Sequence, residues 1–356
     1  MISRAGRIAL GAMILAVTGV LAATTAGPAT SGAERPKLRG PSKCIADVPK
    51  APGGGWNFPE FRTLGVRVWV SGISWASIAT ARPANPRSPT DPAYVWPADL
   101  DTALNKARAY GIEPVLYVNG FPAWSNEGKE PNWVSTNPAD YGDFTAAAVA
   151  RYPQVRRWIV LSEPSQRLNF RPQGSGGRLA PRLYARLLSA AYGAMHAVRP
   201  DVVVIGGNVG PGGQNDEWTT APDTFLRNMV LPNGRRPKLD MFGINPYTER
   251  PINGGYPRRP GRVDLDDLDW LGRQLDRYYP SRHLQIFIGE FGWITEHEAT
   301  GWLYVVTWEE QAARLTRAYR MASRLPRINT MCWFQLYDAP PDREGTRWLN
   351  WTSGLR

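Results

Sequence analysis

Two glutamates in this 356-residue chain stand where an acid is costly. Glu163 closes the run Trp158-Ile-Val-Leu-Ser162-Glu163-Pro164, and Glu290 closes Ile286-Phe-Ile-Gly289-Glu290-Phe-Gly-Trp293. An acid that ends an apolar run finds no polar partner inside it, so it projects into a site or is neutralised by neighbours. A pair of such carboxylates suits glycoside hydrolysis: one protonates the leaving oxygen while the other attacks or activates water. Other chemistries have less to work with. His196, His283 and His297 are scattered, and Cys44 and Cys332 are the only cysteines, so no metal site and no cofactor are expected. Gly206-Gly207-Asn208-Val209-Gly210 lacks the spacing and helix start of a dinucleotide fingerprint, and there is no phosphate-binding loop.

The elements that would position the two acids follow from periodicity. Eight short apolar runs, near Cys44 to Val48, Val66 to Val70, Ile112 to Val118, Trp158 to Leu161, Val202 to Gly206, Met241 to Ile244, Ile286 to Gly289 and Thr330 to Phe334, alternate with amphipathic segments. Leu100 to Tyr110 is a predicted helix with Asp99 as its cap and Gly111 as its stop. Further helices are expected from Pro181, over Leu265 to Leu275, and from Trp308 to Leu325. Repeated βα units of this number predict the α/β class and a single (β/α)8 TIM barrel over residues 44–356. In such a barrel Glu163 and Glu290 end strands four and seven at the C-terminal rim. The connections 120–136, 164–180, 207–221, 248–263 and 291–307, rich in Gly, Pro, Asn and Trp, lie on the same face.

With the strand order in place, a family resemblance is visible. Arg157-Trp158 through Ser162-Glu163-Pro164-Ser165 resembles the Asn-Glu-Pro motif of the clan A glycoside hydrolases. Gly243-Ile-Asn245-Pro246-Tyr247 resembles the clan's sixth-strand end, Gly289-Glu290-Phe291-Gly292-Trp293 its nucleophile strand, and Cys332-Trp333-Phe334-Gln335 its eighth-strand platform. Phe121-Pro122-Ala123-Trp124 adds a likeness to cellulase-like and xylosidase-like proteins of actinobacterial, high-GC type. The resemblance spans residues 44 to 338. It implies a retaining double displacement with Glu163 as acid/base and Glu290 as nucleophile, Tyr247 holding the nucleophile ionised, and Trp333 as the floor beneath the sugar. Ser162 stands where the clan has Asn, so a water-filled gap, an altered configuration at carbon 2 or lost activity is expected. The clan's strand-two Arg is also missing, Val70 occupying the register, and Arg67 is the nearest candidate. Of 15 Trp, the rim loops carry Trp124, Trp133, Trp218, Trp293 and Trp302, and two or three of these are expected sugar platforms. Asn119, Gln166, Asn169 and Asn208 are polar residues within reach of sugar hydroxyls.

The setting is read from the ends of the chain and from its charge. Arg4 and Arg7, then uncharged residues 8 to 26 closing on Thr24-Thr25-Ala26, have the order of a signal peptide over 1–26, followed by a Pro/Gly/Ser-rich disordered linker over 27–43. The mature protein is expected to be secreted, with no membrane contact after cleavage. In an oxidising compartment Cys44 and Cys332 either form one bridge or remain two buried thiols. The formal net charge is +11, carried mostly by dispersed arginines with small clusters at Arg156-Arg157, Arg235-Arg236 and Arg258-Arg259. No nucleic-acid motif accompanies them; the readings left are a solvated surface or association with anionic cell-wall polymers. The expected partner is a carbohydrate, the expected function that of a secreted retaining, cellulase-like glycosidase. The alternatives are a catalytically weakened glycan-binding barrel at the cell envelope and a transglycosylase using the same glutamates.

Overall fold

A computed structural model describes residues 40–252, 256–295, 305–338 and 352–356. The expected leader 1–26 and most of the linker fall outside them. Eight parallel strands close on themselves in sequence order: β1 Ser42–Ala46, β2 Val68–Ser74, β3 Glu113–Asn119, β4 Arg157–Val160, β5 Val203–Val209, β6 Met241–Ile244, β7 Gln285–Phe291 and β8 Ile328–Trp333. Each run read from the sequence became a strand, with ends displaced by a few residues. The (β/α)8 architecture is the one the alternation predicts.

Around the barrel run α1 Phe58–Thr63, the one-turn α2 Trp75–Ile78, α3 Ala98–Ala109, α4 Pro138–Arg151, α5 Leu179–Val198, α6 Pro222–Asn228, α7 Leu268–Tyr278 and α8 Trp308–Ala322. The apolar stripes face the sheet: Leu100, Ala103, Leu104 and Ala107 of α3 are buried, as are Leu268, Leu271 and Leu275 of α7. Asp99 is not the cap of α3. Pro97 holds that position, and Asp99 lies in the first turn, ion-paired to Lys50. Gly111 ends the helix with φ 69°, a conformation that suits glycine.

The core has two layers. The outer one, between sheet and helices, holds Trp69, Trp75, Tyr141, Phe144, Trp158 and most other large side chains. The inner one fills the barrel with Cys44, Val68, Val70, Val115, Ile159, Ile205, Phe287 and Cys332. Cys44 lies opposite Cys332 where β1 meets β8, and the two are joined as a disulfide inside the barrel. At the barrel's base Arg157, 7% exposed, donates twice to Glu113 at 2.7 and 2.8 Å and once to Thr330 at 3.0 Å, and lies over the Phe287 ring. Arg157 is therefore an interior residue, not part of a surface cluster. Arg259 and Arg236 are likewise engaged, Arg259 with Glu249 and Asp264, Arg236 with the Leu226 and Met229 carbonyls.

Candidate active site

In a strand, side chains alternate between faces, and three strands break that alternation at the mouth. β4 presents Arg157 and Ile159 inward, but the next residue of that series, Leu161, takes φ 63° and joins the outer core. Glu163 also has a left-handed backbone, φ 50°, and its N–H donates to the Asn208 carbonyl at 2.9 Å. Non-glycine residues rarely adopt this conformation, and where they do the surroundings impose it. Glycine would adopt it freely but would bring no acid. The β5–β6 register shifts between Gly207 and Val209, and Asn208 within that shift has φ 46°. The β7–β8 register shifts between Ile288 and Phe291, the interval that contains Glu290. Each irregularity re-aims a side chain.

Glycines make room for the result. A Cβ on Gly289 would lie 2.2 Å from Asn208 Oδ1 and 2.7 Å from Asn245 Oδ1, and one on Gly243 would lie 2.9 Å from Asn208 Cα. The amide of Asn208 donates to Ser162 Oγ at 3.1 Å, and the Ser162 N–H donates to Asn119 Oδ1 at 2.9 Å. Asn245 donates to Glu163 Oε1 at 3.0 Å, while the Tyr247 hydroxyl donates to Glu290 Oε2 at 3.2 Å. The Oδ1 atoms of Asn208 and Asn245 are buried and accept no hydrogen bond from the described residues. Unpaired buried acceptors are uncommon away from functional sites.

The electrostatics are those of two acids sharing one place. Neither Glu163 nor Glu290 has an ion-pair partner among the described residues. Burial raises the Glu163 carboxyl above its ordinary range, opposed by the Asn245 bond. Burial and then the Glu163 charge push Glu290 up to about 8, opposed by the Tyr247 bond. Like charges held together resist joint ionisation, so the pair titrates as a unit and retains a proton at pH values where a free glutamate has none. Tyr247 is raised well above its usual value, by burial and then by both glutamates. It therefore serves as a hydrogen-bond donor. Among the described residues no group of three or more His, Cys, Asp or Glu side chains gathers for a metal ion, and no helix is long and apolar enough to cross a membrane.

Glu163, Glu290, Ser162, Tyr247 and Asn119 thus converge at the mouth, where the strand ends place them. The aromatic expectations fare differently. Trp333 is 3% exposed and belongs to the outer core, against Phe291 and Trp293, with Nε1 donating to the Gln335 and Ser353 carbonyls. It cannot be a floor beneath a sugar; its neighbour Phe334 packs on the inner layer instead. The reason is parity, since Cys332 points inward and the following side chain must point out. Trp293 is 1% exposed with Nε1 bonded to the Thr248 carbonyl, a packing role rather than a platform. Trp124 donates to the Ala79 carbonyl and lies under Arg82 at 4.4 Å. Trp133 stacks with Arg171, and Trp218, 62% exposed, lies under Arg167. Trp302 falls outside the described residues. Arg67 is exposed just before β2, at the end of the barrel opposite the mouth, so it is no neighbour of Glu290.

Two contributors went unassigned in the sequence. Asn245 was visible only as part of a motif, and Tyr117 was overlooked, although period two places it on the face of β3 that carries Asn119. The rim loops are also stitched to one another, through bridges between Trp133 and Arg171, Gln166 and Thr219, and Gly212 and Arg262.

No protein-family model matches the chain, and no curated protein matches it. Solved structures do resemble it. A family 39 glycoside hydrolase from Bacteroides cellulosilyticus WH2 superposes on 90% of this chain and 60% of its own, with TM-score 0.61 and 19% identity. A glucosidase from Croceicoccus marinus covers 87% of this chain and 62% of its own, with TM-score 0.58 and 15% identity. A Bacteroides uniformis β-glucuronidase covers 90% and 33%, with TM-score 0.52 and 14% identity. This chain spans about 60% of the first two proteins. At these identities the likeness establishes the fold: the neighbours are glycoside hydrolases built on the closed eight-stranded parallel barrel, the architecture that the clan A resemblance implies.

Proposed function

We propose that this protein is a retaining O-glycoside hydrolase in which Glu163 is the acid/base and Glu290 the nucleophile. The observation that carries the reading is the pair itself: two glutamates from the ends of β4 and β7, with no neutralising cation among the described residues and each tied to a separate donor. A structural role would favour a countercharge, as Arg157 supplies to Glu113. A catalytic pair needs one proton between two carboxyls, which mutual repulsion in a buried setting provides. In the reaction Glu163 gives its proton to the leaving oxygen as the Glu290 carboxylate bonds to the anomeric carbon. Glu163 then takes a proton from water, which displaces Glu290. The glycosidase neighbours support the same reaction class. Residues 1–26 would direct export, which a mature N-terminus at or near Gly27, sequenced from protein in the growth medium, would support.

Purified protein is assayed on aryl glycosides and polysaccharides beside Glu163→Ala and Glu290→Ala. The expected loss is ~10³-fold or more for each, with azide restoring a product of opposite anomeric configuration in Glu290→Ala. Product of inverted configuration from the unmodified protein would overturn the retaining mechanism. Binding of oligosaccharide without turnover on a broad panel would favour a glycan-binding barrel, with Ser162 as the first residue to restore to Asn. The two carboxyls titrate as a pair, both raised by burial. The singly protonated pair is the active form, so kcat/KM is expected to be bell-shaped in pH, with both limbs belonging to the pair and lying above the range of a free glutamate.

A further inference from the structure

Ser162 and Gly289 immediately precede the two glutamates, and one side chain touches both. Asn208, 2% exposed, donates its amide to Ser162 Oγ at 3.1 Å, while its backbone carbonyl accepts from the Glu163 N–H at 2.9 Å. On its other side Oδ1 lies 2.2 Å from where a Cβ on Gly289 would stand, so nothing larger than a hydrogen fits between this oxygen and β7. Gly243 gives way in the same manner, a Cβ there falling 2.9 Å from Asn208 Cβ. β4 and β7 share no edge in the closed barrel, so no hydrogen-bonded ladder sets their separation at the mouth. Holding Asn208 between them carries two costs: a left-handed backbone with φ 46° inside the register shift, and a buried Oδ1 that accepts no hydrogen bond from the described residues. Strained backbone and unsatisfied polar atoms persist where the surroundings impose them, and they gather at functional sites.

We propose that Asn208 is a positioning residue that spans the ends of β4 and β7 and sets the distance between the Glu163 and Glu290 carboxyls. The inference rests on the proposed double displacement for its catalytic consequence, but not for its geometric one. The amide holds the Ser162–Glu163 segment, and the carbonyl oxygen is the stop against which Gly289 rests. The reaction needs that distance held, because one carboxyl must reach the anomeric carbon while the other reaches the leaving oxygen. Coupling between two acids also weakens as they separate. Asn245 on Glu163 and Tyr247 on Glu290 touch the same pair. Tyr117, whose Cζ lies 2.3 Å from where a Cβ on Gly72 would stand across the β2–β3 pairing, packs on the inner layer. Burial raises both tyrosines, Tyr117 to about 12, so the glutamates are the groups of this set that titrate near neutrality.

The test is Asn208→Gly, which keeps the left-handed backbone and the Glu163 N–H bond and removes only the two side-chain contacts. With ¹³C-labelled glutamate carboxyls followed by NMR, the two apparent titrations of the pair should draw together by ~1 pH unit, since repulsion then spreads the freed carboxyls and their coupling falls. This readout needs no turnover, so it decides the proposal even if the protein hydrolyses nothing, a result that would count against the proposed function alone. Where activity is found, kcat per folded molecule should fall ~10- to 100-fold with KM little changed, and the bell in kcat/KM should narrow by the same ~1 unit. Combining Asn208→Gly with Gly289→Ala puts a methyl into the vacated space; this variant should move the titrations part of the way back, and it serves in place of the single variant if that one unfolds. Arg157→Ala, a change of stability at the opposite end of the barrel, should leave both titrations where they are. Near-UV circular dichroism would confirm that each variant is folded. Titrations unmoved by Asn208→Gly, or moved as much by Arg157→Ala, would overturn the proposal, as would a kcat loss with an unmoved pH profile.

Discussion

The two ends of one barrel treat buried charge in opposite ways. At the base Arg157 is fully complemented: two bonds to Glu113, one to Thr330, and a ring beneath it. Its strand is regular, and the surrounding layer is made of Cys44, Val68, Val115 and Phe287. At the mouth two glutamates lie with no ion-pair partner among the described residues, β5 and β7 slip register there, and two asparagine oxygens accept no hydrogen bond from those residues. One chain therefore contains both solutions. Pairing a buried ion lowers its energy and fixes the element that carries it; leaving it unpaired raises its affinity for a proton. On the proposed reading the base is organised for stability and the mouth for reactivity, the division expected between the two faces of this fold.

Changes at either end should break the contrast in different observables. The largest effect on stability is expected from Arg157→Ala, which opens a gap above Phe287 and leaves buried Thr330 without its donor, while Glu113, 42% exposed at its side chain, turns to water. A loss of ~3 kcal/mol in urea unfolding is anticipated, with activity per folded molecule unchanged. A loss of comparable size, ~2–4 kcal/mol, is expected when Cys44 and Cys332 are both replaced by Ala, because the bridge restrains a very long loop in the unfolded chain. Its measure is the same unfolding curve with and without reductant, and only the unmodified protein should respond.

At the mouth the sign reverses. Burial and Glu163 raise Glu290 from 4.5 to about 8, so the folded state holds a proton that the unfolded chain releases. That contribution is fully present below the unfolded value and is lost as pH rises through 8. Glu290→Gln removes it. The variant should match the parent near pH 4 and exceed it by ~3 °C in Tm above pH 8, and equal Tm values there would remove the strain ascribed to the pair. The smallest effect belongs to Ser162→Ala, which costs one hydrogen bond from Asn208 and ~1 kcal/mol. A fall in Tm of ~2–4 °C together with a fall of about fivefold in kcat/KM per folded molecule would sharpen the distinction between the two ends.

Much of this was present in the linear order of residues. Short apolar runs between amphipathic segments are local properties, and the closed eight-stranded barrel follows from their number and alternation. Acids at run ends are local too, so Glu163 and Glu290 were legible, with Tyr247 through its motif. What could not be read was orientation. A parallel strand buried on both faces is apolar throughout, so nothing in Met331-Cys-Trp-Phe-Gln335 says which of two adjacent aromatics points inward. One residue of register exchanges them, and only closure of the barrel, with Cys332 set against Cys44, turned Trp333 outward and Phe334 inward. The same holds for Arg157, whose place at the end of a run is local but whose partners Glu113 and Thr330 lie on β3 and β8. It holds for Tyr117 over Gly72 as well, since that fit depends on the pairing of two strands 45 residues apart. The amino-acid sequence by itself determined the elements and the acids at their ends, because propensity and burial act within a few residues. The tertiary structure alone decided which face each side chain takes and what it meets, because register, closure and the slips in β5 and β7 arise between strands.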